Sequence, residues 1–217
     1  MRNVHRENTA VVIVDMQKGE KQGITEEEWS SVEDSIAHLL ETAREAHMSI
    51  IHIFYSPHLM KDEGPFQYEA DSDPFTHLNH TGDSEPLPSV YHIVEKCYPR
   101  PREWMFAKMQ SDAFAQRNWL RKTPQLRHVR NVILSGVRIG DCLGKTAISA
   151  SRRYNTFVPP ETTDSEYDGG RHLERLQKRG IETPSLQTIM REMAIQRVSI
   201  TTLFNRTMHN FFGKVFS

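Results

Sequence analysis

The sequence predicts an α/β fold: a single-domain, doubly wound, Rossmann-like three-layer sandwich with a mostly parallel sheet of about six strands. Three observations carry this. Short, continuously apolar runs recur, as strands buried on both faces require. Stretches with helical apolar spacing separate those runs. No internal repeat or linker divides the 217 residues, a length that one core can organise, so residues 1–217 read as one domain.

Each element has a local reason. The run Ala10-Val11-Val12-Ile13-Val14 is apolar without alternation and ends on Asp15, which marks a buried first strand. Thr25-Glu26-Glu27-Glu28 has the pattern of a capping box. Behind it Val32, Ile36, Leu39, Leu40 and Ala43 recur at helical spacing to about His47. Ile50-Ile51-His52-Ile53-Phe54-Tyr55 is a second strand, so the first three elements form a βαβ unit and imply a parallel sheet. From about Ser56 to Pro101 the chain is aperiodic and rich in Pro, Gly, Asp and His, and loops of that length commonly carry function. Further strands are expected at Trp104 to Lys108, Val129 to Leu134, Thr156 to Val158 and Val198 to Thr202. Helices are expected around Phe114, Trp119 and Leu120, from Cys142 to Tyr154, from Leu173 to Arg179 with Gly180 closing it, and from Thr183-Pro184, where proline suits the first turn.

Composition narrows the partners. With 27 basic and 28 acidic residues the net charge is −1, so bulk electrostatics favour neither nucleic acid nor an acidic membrane surface. No window reaches the ~18 apolar residues that span a bilayer, and the N-terminus lacks the apolar stretch of a signal peptide. The two cysteines, Cys97 and Cys142, form neither a metal-binding spacing nor a disulfide framework. A cytoplasmic home, which keeps thiols reduced, is the expectation.

Three residues share one address. Asp15 ends the first strand, Lys108 ends a later one, and Cys142 opens the helix that follows Val132-Ile133-Leu134 and a turn. In an open parallel sheet the C-terminal strand ends border one crevice, so these residues can converge. At a helix start, unpaired N–H groups and the helix dipole favour a thiolate and can bind an oxyanion. Taken singly, each residue also has a plain reading: Cys142 as a buried packing residue, Asp15 as a loop cap, Lys108 as a solvated strand end.

Taken together, the segments Val14-Asp15-Met16-Gln17, Lys108-Met109-Gln110-Ser111-Asp112-Ala113-Phe114 and Gly136-Val137-Arg138-Ile139-Gly140-Asp141-Cys142-Leu143 resemble the three signatures of isochorismatase-like cysteine hydrolases. The likeness runs from Thr9 to about Thr202 and includes the small residues Thr146, Ala147 and Ala150. It implies a catalytic triad of Asp15 as base, Lys108 as electrostatic support and Cys142 as nucleophile, acting through an acyl-enzyme. It implies a cis peptide between Val137 and Arg138, with the Arg138 and Cys142 N–H groups facing the oxyanion. It also implies a small-molecule substrate, no cofactor, and a homo-oligomer, a dimer or larger. Because relatives that cleave vinyl ethers generally lack the nucleophile, Cys142 favours an amide or ureide. A non-amide substrate, or an idle binding module on the same fold, are the other readings.

The sequence departs from the family pattern in two places. Metal-dependent relatives carry Asp-x-His after the second strand, whereas this chain reads Ser56-Pro57-His58, so no metal is expected, although His77 and His80 follow in the same loop. Arg138 stands where relatives usually have a small residue. Its side chain is expected either to receive an anionic substrate group or to pair with Asp141. Gln17, Tyr55, His58, Trp104 and Tyr167 are candidate pocket-lining residues, and Cys97 is read as structural.

Overall fold

A computed structural model of the chain describes residues 6–21, 23–55, 66–67, 93–101, 103–108, 110–115, 127–164 and 169–194. Six strands form one sheet: β1 (Thr9–Val14), β2 (Ser49–Tyr55), β3 (Phe66–Gln67), β4 (Trp104–Lys108), β5 (Asn131–Gly136) and β6 (Asn155–Phe157), in the order β3-β4-β2-β1-β5-β6. All neighbours pair in parallel except the short edge strand β3, which runs antiparallel to β4.

The two faces of β1 explain its unbroken apolarity. Val11 and Ile13 join one core cluster, while Ala10, Val12 and Val14 join the other. Helix α1 (Glu26–Glu45) covers the first face through Trp29, Val32, Ile36, Leu39, Leu40 and Ala43, together with Leu186, Ile189 and Met193 of the helical residues 186–194. Helices α2 (Cys142–Ala150) and α3 (Gly169–Gln177) cover the second through Leu143, Ala147, Ala150 and Leu176. Two helical layers on a twisted parallel sheet are the doubly wound sandwich that the sequence predicts.

Local signals hold where they were specific. The Thr25 hydroxyl oxygen accepts from the Glu28 N–H at 3.2 Å, capping α1 as the box pattern requires. Gly180 has φ +78° and its N–H reaches the Gln177 carbonyl, closing the turn after α3. Helix α3 begins at Gly169 rather than Leu173, and α2 ends at Ala150 rather than Tyr154. Strand β3 falls inside the stretch expected to be loop, because a two-residue edge strand has no periodicity to betray it. The expected strand near Val198 lies outside the described residues, as do Trp119 and Leu120. Among the described residues no helix is long and apolar enough to cross a membrane.

The strand order places the switch point between β1 and β5, since the chain leaves β1 toward β2 on one side and returns on the other. In such sheets the crevice beyond the C-terminal strand ends is where ligands bind. Asp15 and the β5–α2 turn both stand there.

Candidate active site

The turn after β1 and the turn after β5 are built against each other. Gly136 has φ +132°, and a Cβ there would fall 2.0 Å from the Val14 carbonyl oxygen, so only glycine lets the two strand ends touch. Asp15 and Arg138 are both held at positive φ, +54° and +63°, a backbone region that non-glycine residues seldom occupy and that clusters at functional sites. The Asp15 N–H donates to the Ile53 carbonyl at 2.8 Å, which fixes the bend after β1.

The structure brings Asp15, Lys108 and Cys142 together. Lys108 Nζ lies 2.6 Å from Asp15 Oδ2, and both side chains are fully buried. The ammonium also donates to the Ser111 carbonyl at 3.1 Å. That carbonyl accepts in turn from the Thr146 hydroxyl of α2 at 3.4 Å, and the Ala113 N–H donates to the same hydroxyl oxygen, which ties the segment after β4 to the helix that Cys142 opens. Beyond the ion pair, neither Asp15 oxygen has a hydrogen bond of ordinary geometry among the described residues. The Cys142 side chain is near enough to interact with both charged partners.

Burial sets the protonation of this trio. Removal from water raises the Asp15 pKa, and the Lys108 charge offsets only part of that rise. For Lys108 burial works the other way and is the largest single effect, but the charges and hydrogen bonds of Asp15 and Cys142 together overcome it and raise its pKa, so the ammonium stays protonated. Burial, and then the Asp15 carboxylate, push the Cys142 thiol up to about 12. The helix start favours a thiolate, but desolvation and a facing carboxylate outweigh it here. The resting site holds a neutral thiol beside a buried carboxylate with a raised pKa.

The turn itself differs from expectation. The Val137–Arg138 peptide is trans, and Arg138 reaches the required bend through its positive φ instead. Its N–H is not directed as expected: it donates to Asp164 Oδ2 at 3.0 Å, while the Ile139 N–H donates to Asp164 Oδ1 at 2.9 Å. One buried carboxylate thus fills the anion-binding concavity that successive N–H groups form. The Cys142 N–H remains at the first helical position, where a helix offers it no internal acceptor. The Arg138 side chain does not pair with Asp141. Its Nε donates to Glu20 Oε2 at 3.0 Å, whereas Asp141 pairs with Lys145 and accepts from the Ser111 hydroxyl at 3.0 Å.

Cys142 opens onto a cleft of about 470 Å³ walled by Glu20, Tyr55, Gln110, Ser111, Arg138 and Asp141. Of the expected lining residues that the structure describes, only Tyr55 is among these. Gln17 is buried and clamps the backbone of Tyr55 from both sides, its amide donating to the carbonyl at 3.0 Å and its oxygen accepting the N–H at 2.7 Å. Trp104 begins β4 rather than ending it and packs against the core under α2 and α3, at the far edge of the sheet from Lys108. His58 and Tyr167 lie outside the described residues, as do His77 and His80. No group of three potential metal ligands gathers among the described residues. Cys97 is buried, with its thiol also pushed up to about 12 by desolvation.

Sequence reasoning missed Glu20, Gln110, Ser111 and Asp164. Ser111 lay within a quoted motif. Asp164 had little local signal, since it lies beyond the turn Pro160–Thr162 that follows β6. Glu20 had none, because nothing local links it to Arg138, 118 positions away.

A family model, the isochorismatase domain, matches residues 9–188. Among solved structures, a cysteine hydrolase from Pseudomonas syringae pv. phaseolicola superposes with a TM-score of 0.67 at 19% identity, covering 89% of this chain and 95% of that one. An isochorismatase family protein from Desulfovibrio vulgaris gives 0.64 at 20% identity, with 87% and 99% covered. N-carbamoylsarcosine amidase from Thermoplasma acidophilum gives 0.62 at 16% identity, with 82% and 96% covered. At these identities the likeness speaks for the fold. No curated protein matches the sequence.

Proposed function

The chain belongs to the isochorismatase family of hydrolases, and on that footing we propose that it cleaves a small-molecule amide or ureide through a covalent acyl-enzyme on Cys142. The observation that carries this reading is the fully buried Asp15–Lys108 pair beside a cysteine that opens a polar cleft. A buried ion pair is weak evidence for stability, because desolvating two charges costs several kcal/mol per ion. Its position against a thiol gives it a chemical use.

When a carbonyl carbon comes within reach of Cys142 Sγ, Asp15 takes the thiol proton and the sulfur forms its bond to that carbon. The carbonyl π pair moves to oxygen, where the Cys142 N–H at the start of α2 can receive it. Asp15 hands the proton to the leaving nitrogen, the C–N bond breaks, and ammonia or an amine departs from a thioester. A water molecule, deprotonated by Asp15, then attacks the thioester carbonyl, the C–S bond breaks to release the acid, and Asp15 returns its proton to Cys142 Sγ. A carboxyl with a raised pKa suits both directions of transfer, and Lys108 keeps its ionised form affordable in a dry site. One of the structural neighbours is named an N-carbamoylsarcosine amidase, which accords with an amide or ureide bond.

The test is ammonia release from a panel of small amides and ureides by the native chain and by Cys142→Ala. Turnover confined to the native chain is the expected result. Activity that survives in Cys142→Ala above a thousandth of native would rule out the covalent route.

A further inference from the structure

The Arg138–Glu20 pair stands where the charge of a substrate would be read. Arg138 lies four residues before the nucleophile, and both its side chain and that of Glu20 wall the cleft into which Cys142 opens. Both are about three-quarters buried, with the guanidinium Nε 3.0 Å from Glu20 Oε2. Glu20 comes from the short helical turn Lys18–Lys21 that follows β1, and its negative charge is felt at Asp15.

Among the described residues, the cleft wall therefore carries two carboxylates, Glu20 and Asp141, against one guanidinium that is already engaged. Asp141 is itself answered by Lys145 and the Ser111 hydroxyl. A substrate carboxylate entering here would have to displace Glu20 from Arg138, and would then sit against the carboxylates of Glu20 and Asp141, with Asp15 already neutralised by Lys108. In a partly desolvated cleft such like-charge contacts weigh far more than in water. An uncharged amide meets no such competition, and the Tyr55, Gln110 and Ser111 side chains offer it neutral hydrogen-bonding groups.

We propose that Glu20 is a specificity-determining residue: by holding the Arg138 guanidinium in the cleft wall, it makes the site select uncharged polar amides over amides that bear a carboxylate. This rests on the reading of Cys142 as the reactive thiol, and it reverses the simpler idea that an arginine near the site invites an anion. Rejection of the wrong substrate by an unfavourable charge is a common route to specificity.

Two alkylating reagents of nearly equal size test it without knowledge of the natural substrate. Iodoacetamide is a neutral primary amide, and iodoacetate carries a carboxylate. In each case Cys142 Sγ forms a bond to the methylene carbon and iodide leaves. The rate of Cys142 alkylation by each reagent is followed by peptide mass spectrometry and divided by its rate with free cysteine. For the native chain the normalised iodoacetate rate should be at least tenfold below that of iodoacetamide. Glu20→Gln should raise the iodoacetate-to-iodoacetamide ratio at least tenfold, and Glu20→Ala should move it the same way. Adding Arg138→Gln to Glu20→Gln should remove most of that gain, since the released guanidinium is its source. A ratio that neither Glu20 variant moves, at a reactive Cys142, overturns this inference and leaves the nucleophile standing. A Cys142 no more reactive than the buried Cys97 overturns the nucleophile and the inference together.

Discussion

Asp164 supports the turn before Cys142 with a carboxylate from a distant part of the chain. It receives the N–H groups of Arg138 and Ile139, and it is itself buried. Asp164→Ala strips both donors of their acceptor, and a buried donor left unsatisfied costs about 1–3 kcal/mol. The variant should lose roughly 2–4 kcal/mol of stability in urea unfolding, and kcat should fall more than KM rises as the turn loosens. A variant as stable as the native chain would show that the turn holds itself. Asp15→Asn makes a different prediction. It leaves the fully buried Lys108 ammonium without its counter-charge, and such uncompensated charges cost about 3–5 kcal/mol. Asp15→Asn should therefore lose turnover and stability together. The double variant Asp15→Asn, Lys108→Met should recover most of the stability in thermal unfolding while staying inactive.

At the level of elements, a second charged cluster fastens the opposite edge of the sheet. Glu103, just before β4, accepts from Arg44 of α1 at 2.7 and 3.1 Å and from the Arg100 N–H at 2.9 Å, and it contacts His52 Nε2 of β2 at 2.7 Å. Burial alone would raise its pKa, but the His52 and Arg44 contacts overcome that and hold it down at about 2, against an ordinary 4.5. A carboxyl depressed in the folded chain stabilises it fully above its unfolded pKa and loses that contribution as the pH falls through the folded value. The window here runs from 4.5 down to about 2, and a shift of this size corresponds to at most about 3 kcal/mol. Glu103→Gln should be less stable than the native chain at neutral pH. Its unfolding free energy should also fall less steeply across that acid window, as followed by urea titration at several pH values. Parallel slopes for the two proteins would assign the acid sensitivity elsewhere. Since this cluster joins α1, β2 and β4 away from the cleft, it serves the frame and not the chemistry.

For the whole molecule, the absence of the Asp-x-His pattern at Ser56-Pro57-His58 predicts that EDTA leaves ammonia release unchanged. Loss of activity on chelation, restored by zinc or iron, would bring His58 forward as a ligand. The family resemblance further implies association, and light scattering at micromolar concentration should give a dimeric or larger mass. A monomer would separate this chain from that expectation.

Periodicity and continuous apolar runs sufficed for the layers of the fold, because strands buried on both faces and amphipathic helices leave local marks. Val11 and Ile13 against Ala10, Val12 and Val14 are one such mark, and the capped helix behind Thr25 is another. The placement of Asp15, Lys108 and Cys142 was legible for the same reason, since each stands at a strand end or helix start that the pattern reveals. Trp104 shows the limit of that logic: the strand was read correctly, but the residue lies at the end that faces away from the crevice. Which groups answer one another across the cleft was not legible. The pairing of Arg138 with Glu20 rather than Asp141, the capture of two turn N–H groups by Asp164, and the thiol raised by burial all depend on side chains far apart in sequence. Those contacts, and the low dielectric that gives them their strength, exist only once the strands have brought the turns together.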